Sequence, residues 1–315
     1  MIVAITGARG FIGRRLAAAH VARGDEVRVL TRGHGGSVPQ GCERFVGDLA
    51  VPDALPAGFV VGADVLYHCA AELHDESLMQ AVNVDGTSRL LDLAAGRVRR
   101  WAQLSSVGIY GCRRTGEVRE DAAPNPANAY ERTKAEADRL VVAAAERGGF
   151  EWTMLRPSNV YGPDMPNASL RQLAAAVRRG LFFFIGTPGA AANYVHVDNV
   201  VAALVLCGTH PRAAGQVFNV SDWCTFEDFV GTVAAACGVP APRCRLPEAP
   251  LRMLATAFSW LSANPLTTAR IDAMTGRATY PTDRIMAELG YVPVVRMEEG
   301  VALAVAAWES KGNTR

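Results

Sequence analysis

Tyr130 and Lys134, in the run Y-E-R-T-K, stand four residues apart and so share one helix face. An ammonium beside a phenol favours the phenolate and lowers its pKa, which makes Tyr130 a general acid/base candidate near neutral pH. The same spacing also arises between a surface tyrosine and a solvated lysine, so the pair needs context. Part of it lies in L-S-S-V-G-I-Y-G at residues 104–111. There Ser106 can donate a hydrogen bond to a substrate oxygen and steady the tyrosine, or serve only as a turn residue or cap. A second group of chemical interest is T-G-A-R-G-F-I-G at residues 6–13. Gly7 allows a tight turn, Gly10 a close approach of backbone to an anion, and Gly13 tight packing of helix on strand. The bland alternative is a tight turn of any doubly wound fold.

The elements that must position these residues follow from pattern. Ile2–Ile5 is an apolar run suited to a buried parallel strand, and Phe11–Arg23 repeats apolar residues at helical spacing. With the glycines between them, Phe11, Ile12 and Gly13 open a helix whose N–H groups face a pyrophosphate, so a dinucleotide site is expected. A cationic nicotinamide there would lower the tyrosine pKa further. Further strands are expected at Glu26–Leu30, Glu43–Val46, Asp64–Tyr67, Trp101–Ser105 and Trp152–Leu155, with helices over Ser77–Ala95 and Ala127–Arg147. This alternation predicts an α/β Rossmann fold, a doubly wound parallel sheet. It puts Ser106 at the C-terminal end of a strand, where open α/β sheets bind ligands. The pattern loosens after Pro157, where prolines and the Gly186–Gly189 turn break the chain into short pieces. Asn193–Leu206 and Gln216–Val220 read as returns to the main domain, Thr225–Ala236 as a helix capped by Thr225, and residues 239–250 as a loop. The division is therefore a dinucleotide-binding domain over 1–157 plus about 191–221 and a small, discontinuous substrate domain over 158–190 plus about 222–315. Leu251–Leu261 is apolar with aromatics. It suits a packed helix, an apolar wall of the substrate site or a membrane-surface contact.

Composition narrows the class. The 315 residues carry 50% apolar side chains and a net charge of +1, which gives no electrostatic case for nucleic acid or an anionic membrane. No apolar run approaches the ~20 residues of a bilayer span, and no signal peptide is expected before the first strand. Seven cysteines without a C-x-x-C pair fit a reducing cytoplasm. No histidine–carboxylate cluster has ligand spacing, so no metal is expected.

Taken in order, the motifs resemble the extended short-chain dehydrogenase/reductases of the NAD(P)-dependent epimerase/dehydratase family. They are T-G-A-R-G-F-I-G, G-D-L at 47–49, H-C-A-A at 68–71, N-V-D-G-T at 83–87, L-S-S-V-G-I-Y-G, Y-E-R-T-K, L-R-P-S-N-V-Y-G-P at 155–163 and Y-V-H-V-D-N-V at 194–200. E-L-G-Y-V-P at 288–293 resembles the family's tail. The resemblance implies that Tyr130 is the acid/base, Ser106 its partner, and Lys134 the ligand of the nicotinamide ribose. It places Asp48 and Leu49 on the adenine, Ala70 and Ala71 along the pyrophosphate and ribose, and Pro157 near the nicotinamide carboxamide. His68 and His196 match structural positions, and Asn159, Asn167 and Arg277 are candidate substrate contacts. A homodimer through the helices 77–95 and 127–147 is also implied.

Two departures bear on function. Many NAD-using members end the second strand with Asp. Here Thr31 and Arg32 follow Val29-Leu30, so a guanidinium stands where a carboxylate would repel a 2′-phosphate. With Arg9 nearby, NADP(H) is favoured over NAD(H). Nucleotide-sugar members often carry R-D-F before the V-x-V-D-D run, and Ala192-Asn193-Tyr194 replaces it. Arg171, Arg178, Arg179, Arg252 or Arg277 would have to substitute for the missing arginine. The first expectation is hydride transfer at a nucleotide-sugar carbon, as 4-keto reduction or 4-epimerisation. Val107 and Gly108 after Ser106 argue against dehydration, which usually adds acidic residues there. The alternative is an NADP(H)-dependent ketone/alcohol oxidoreductase resembling hydroxysteroid dehydrogenase or dihydroflavonol reductase. A non-catalytic NADP sensor would usually have lost the tyrosine or lysine.

Overall fold

The computed structural model describes residues 1–33, 35–111, 115–166, 168–257 and 267–312. Seven parallel strands form the central sheet: β1 (Ile2–Thr6), β2 (Glu26–Thr31), β3 (Cys42–Val46), β4 (Ala63–His68), β5 (Val98–Leu104), and the strands Glu151–Pro157 and Gln216–Val220. Their order across the sheet is Gln216–Val220, Glu151–Pro157, β5, β4, β1, β2, β3. The winding reverses between β1 and β4. The crevice outside those two strand ends is therefore the expected ligand site. Alternate residues feed two apolar clusters. Val3, Ile5, Val65 and Tyr67 face one, and Ala4, Leu66 and Trp101 face the other. Burial on both sides explains why these strands read as unbroken apolar runs.

The helix α1 (Gly13–Ala22) starts at the third glycine of the loop. The single helix expected over Ser77–Ala95 is instead interrupted. Helical turns at Glu76–Met79 and Gly86–Ala94 flank a wider π turn at Gln80–Asp85. Close packing accompanies the break, since a Cβ on Gly86 would come 2.8 Å from Leu49 Cβ. The helix Ala129–Glu146 is capped reciprocally: Asn128 Oδ1 accepts from Glu131 N at 2.9 Å, and Glu131 Oε2 accepts from Ala127 N at 2.7 Å. That cap fixes the first turn, which carries Tyr130.

The helix Val197–Thr209 returns to the sheet, and a buried charge holds it there. Arg100, 2% exposed, ion-pairs with Glu151 at 2.6 Å. Its Nη1 also donates to the carbonyls of Cys207, Gly208 and His210, at the helix end where a cation is favoured. The helices Ser169–Arg178, Phe226–Ala236 and Met297–Gly312 share a separate apolar cluster around Phe229, Val233 and Val301. Thr225 caps its helix by accepting from Asp228 N at 3.1 Å.

The loop expected over 239–250 needs correction. Arg245–Leu246 pairs with Phe184–Ile185 as a short parallel strand, and a helix begins at Glu248. Pro250 lies in that helix's first turn, where a missing N–H costs no hydrogen bond. This helix, Glu248–Ala257, contains the first part of the 251–261 segment, while residues 258–261 lie outside the described residues.

Gly13 is the tightest point of the glycine loop, because an added Cβ would overlap the Gly7 carbonyl oxygen. Gly13→Ala should cost about 1–3 kcal/mol, the usual penalty of overpacking. Chemical denaturation reads this directly, and an unchanged midpoint would contradict the packing described.

Candidate active site

The cradle at the switch point is built by close backbone approach. Gly7 has φ +70°, and a Cβ there would stand 2.7 Å from Ala70 N. Beneath it runs a chain of hydrogen bonds. Thr87 Oγ1 donates to Asn83 O at 2.7 Å, so it accepts from His68 Nε2 at 3.0 Å. His68 Nδ1 then accepts from Thr6 Oγ1 at 2.7 Å, and Thr6 Oγ1 accepts from Ala70 N at 3.2 Å. Burial pushes the His68 pKa down to about 3, with the Lys134 charge adding to the effect. The imidazole is therefore a neutral Nε2–H tautomer tying β1 to β4. His196 is a helix N-cap, accepting from Asp198 N at 3.3 Å.

The cofactor candidates meet in this crevice. Gly7, Arg32, Asp48, Leu49, Ala70 and Ala71 line one pocket together with Thr6, Leu30 and Glu72. Gly10, Phe11, Ile12 and Gly13 form the turn into α1, whose first turn holds no acidic residue and whose N-cap has no side-chain partner. That end is open to an anion. These residues suit a dinucleotide: the turn would hold the pyrophosphate, and Leu30, Arg32, Asp48 and Leu49 would hold the adenosine. Thr31 is turned inward, its hydroxyl donating to Gly33 O at 3.0 Å. Asn83, in the π turn, ties the strap after β4 to the helix Ala129–Glu146. Its Oδ1 accepts from Glu72 N at 2.7 Å, and its Nδ2 donates to Thr133 Oγ1 at 3.1 Å.

Ser106 and Tyr130 line a second cleft, of about 400 Å³, with Ser158, Asn159, Asn193 and the aromatic faces of Tyr194, Phe226 and Tyr280. Pro157 ends its strand directly before Ser158. The depressed tyrosine pKa expected from Lys134 is not what this structure shows. Burial pushes the Tyr130 phenol up to about 12, the Asp138 and Glu131 carboxylates add to the rise, and the Ser106 hydroxyl opposes it. Lys134 Nζ instead donates to Leu104 O at 2.5 Å. Burial lowers its own pKa, which Asp138 one turn along the helix partly restores.

Asp138 was not among the sequence candidates, although it follows Lys134 by one turn. Its Oδ2 accepts from Ser105 Oγ at 2.7 Å and from Arg156 Nη2 at 3.2 Å. Arg156 also donates to Tyr110 OH at 2.8 Å, and that hydroxyl donates to Asn219 Oδ1 at 3.0 Å. Arg277 lies outside both pockets, with its guanidinium on the oxygens of Thr187, Pro188 and Gly189. Of the other candidate cations, Arg252 pairs with Glu248 and Asp272, and Arg178 with Glu309. Asn167 lies outside the described residues. Among the described residues no three His, Cys, Asp or Glu side chains cluster as metal ligands, and no helix is long and apolar enough to cross a membrane.

Residues 3–221 match the NAD dependent epimerase/dehydratase family. A UDP-glucose 4-epimerase of Vibrio cholerae is 26% identical over 99% of this chain and 96% of its own length. A 3beta-hydroxysteroid-dehydrogenase/decarboxylase of Arabidopsis thaliana is 26% identical over 94% of this chain and 77% of its own. A UDP-glucuronic acid 4-epimerase from Bacillus cereus, solved in complex with NAD, superposes with a TM-score of 0.76 over 99% of both chains at 18% identity, a likeness of fold.

His68 makes stability depend on pH. The unfolded chain regains an ordinary imidazole near pKa 6.5, so between that value and about 3 it binds more protons than the folded chain. The stabilisation is complete above pH 6.5 and is lost, at up to about 1.4 kcal/mol per pH unit, as pH falls toward 3. Urea midpoints taken at several pH values should show this slope, and His68→Gln should flatten it. Equal slopes in the two proteins would rule the assignment out.

Proposed function

We propose that this chain, which belongs to the NAD dependent epimerase/dehydratase family, is an NADP(H)-linked oxidoreductase interconverting a secondary alcohol and a ketone on an uncharged ring. The wall of the substrate cleft carries this reading. Tyr194, Phe226 and Tyr280 give it aromatic faces, and Ala191, Ala192, Ala273 and Ala278 give it small apolar ones. The charged side chains among its described lining residues are Glu131 and Asp272, both carboxylates. Asp272 is ion-paired with Arg252, and neither residue supplies the cation a diphosphate needs, whereas both tolerate a neutral ring bearing hydroxyls.

The bound nicotinamide supplies or accepts the hydride. Tyr130 holds the proton that moves to or from the substrate oxygen, and Ser106 donates a hydrogen bond to that same oxygen. Lys134, whose Nζ donates to Leu104 O, would hold the ribose of the bound cofactor one helical turn from Tyr130. In the ketone-reducing direction the high phenol pKa keeps Tyr130 protonated, as an acid must be. Arg32 is exposed at the adenosine end, Arg9 lies against Gly36 in the loop after β2, and Arg44 Nη2 donates to Gly36 O at 2.8 Å. Three guanidiniums around one loop suit a 2′-phosphate.

A nucleotide-activated sugar, reduced or epimerised at C4, is the second reading. Asn159 in the cleft favours it, as do relatives named for UDP-sugars. Turnover with NADPH on a panel of ring ketones, beside UDP-glucose and UDP-galactose, separates the two. Activity on the UDP-sugars alone would reject the first.

Tyr130→Phe should lower turnover at least ~10²-fold with cofactor affinity retained, and near-normal rates would remove it as the acid/base. Lys134→Met should lose both activity and cofactor affinity. Arg32→Asp removes a charge-assisted contact of about 1.5–3 kcal/mol. NADPH binding should therefore weaken roughly 10- to 100-fold while NADH binding is spared. Calorimetric titration of both cofactors checks this, and unchanged preference would return NAD to first place.

A further inference from the structure

Two polar atoms in the substrate cleft have no hydrogen-bond partner among the described residues. Ser158 is 7% exposed, and its Oγ is buried without a hydrogen bond. Asn193 Oδ1 is likewise buried and unpaired. The amide orientation of Asn193 is fixed, because Nδ2 donates to Ala278 O at 2.8 Å. Its free atom is therefore an acceptor. The two side chains are also brought together by register. The strands Asn159–Tyr161 and Tyr194–His196 run parallel with Asn159 opposite Tyr194, and Asn159 N donates to Asn193 O at 3.2 Å, so continuing the register one step back sets Ser158 beside Asn193. Side chains at paired positions lie on the same face of the ladder. Both residues line the cleft that Ser106 and Tyr130 also line.

Buried polar groups left unpaired are costly and rarely kept without a role. We propose that Ser158 and Asn193 form a hydroxyl-recognising subsite. A neutral substrate hydroxyl near the reacting carbon donates to Asn193 Oδ1 and accepts from the Ser158 hydroxyl. An ether or carbonyl lacks the donor that Asn193 needs, and a phosphate offers acceptors to an acceptor. The subsite thus selects an α-hydroxy ketone, or the vicinal diol it becomes, over the plain ketone. It rests on the alcohol/ketone reading of the site.

The probes are cyclohexanone and 2-hydroxycyclohexanone, with NADPH and the full chain. The wild type should favour the hydroxyketone in kcat/KM. Ser158→Ala should reduce that preference about fivefold to tenfold, and Ser158→Thr, which keeps the hydroxyl, should restore it. Because Ser158 Oγ bonds nothing among the described residues, Ser158→Ala should melt no lower than the wild type. A lower melting temperature would show that the hydroxyl has a structural partner and overturn the subsite. An unchanged preference in Ser158→Ala overturns the subsite while leaving the alcohol/ketone reading in place. Failure of the wild type to reduce either ketone, with NADPH bound, overturns that reading and the subsite with it.

Discussion

The closeness of two strand ends governs this molecule. Gly7 and Ala70 approach until no Cβ fits between them, and the hydroxyl–imidazole–hydroxyl chain through Thr6, His68 and Thr87 sets that spacing from below. Such a chain works only with a neutral ring, since an imidazolium would present two donors and leave Thr6 or Thr87 without its second role. Burial supplies that neutrality. The crevice that results is narrow, lined by backbone, and open at the uncapped start of α1. Cofactor geometry thus follows from packing laid down in the core, before any cofactor-binding side chain is considered.

A second constraint sits beneath the candidate catalytic residues Ser106 and Tyr130. Lys134, Asp138 and Arg156 are all buried, at 3%, 5% and 7% exposure, and buried charges persist only when paired and hydrogen-bonded. The single carboxylate lies between two cations, and Ser105 and Tyr110 donate into the same network through Asp138 and Asn219. Ser105 precedes Ser106, and Lys134 follows Tyr130 by one turn. The charge network therefore fixes the distance between the strand end bearing the serine and the helix bearing the tyrosine. The same carboxylate raises the phenol pKa, so the arrangement favours the protonated form until another positive charge arrives.

This division explains what was legible in the sequence. The glycine loop, β1, β4 and Tyr130–Lys134 are local patterns, set by φ, by strand burial and by helix spacing, and each is visible in a short window. The rise in the Tyr130 pKa comes from desolvation and from Asp138, tertiary facts that Y-x-x-x-K does not contain. The π turn at Gln80–Asp85 and the strand Arg245–Leu246 were missed for the same reason. One accompanies tight packing on Leu49, and the other is a two-residue pairing with Phe184–Ile185. Charge makes Arg277 a candidate substrate contact in the sequence, while its bonds to the 187–189 carbonyls are visible only in the fold.

The substrate cleft is the least legible part because it is assembled from distant segments: residues 106–111, 130–131, 158–159, 191–194, 226 and 272–280. Sequence distance hides which of these meet, and several of the lining positions are alanine or glycine, which carry no chemical signature. What they leave open is a cleft that mixes hydroxyls, amides and carboxylates with aromatic and small apolar side chains. Where a cofactor site is dominated by backbone, its fold can stay constant while the chemistry varies. Where a substrate site depends on a few hydroxyls and amides at strand starts, one or two substitutions redirect it. Relatives of this chain at the same 26% identity are named for a UDP-glucose epimerase and for a hydroxysteroid dehydrogenase, so the shared fold by itself leaves the substrate open.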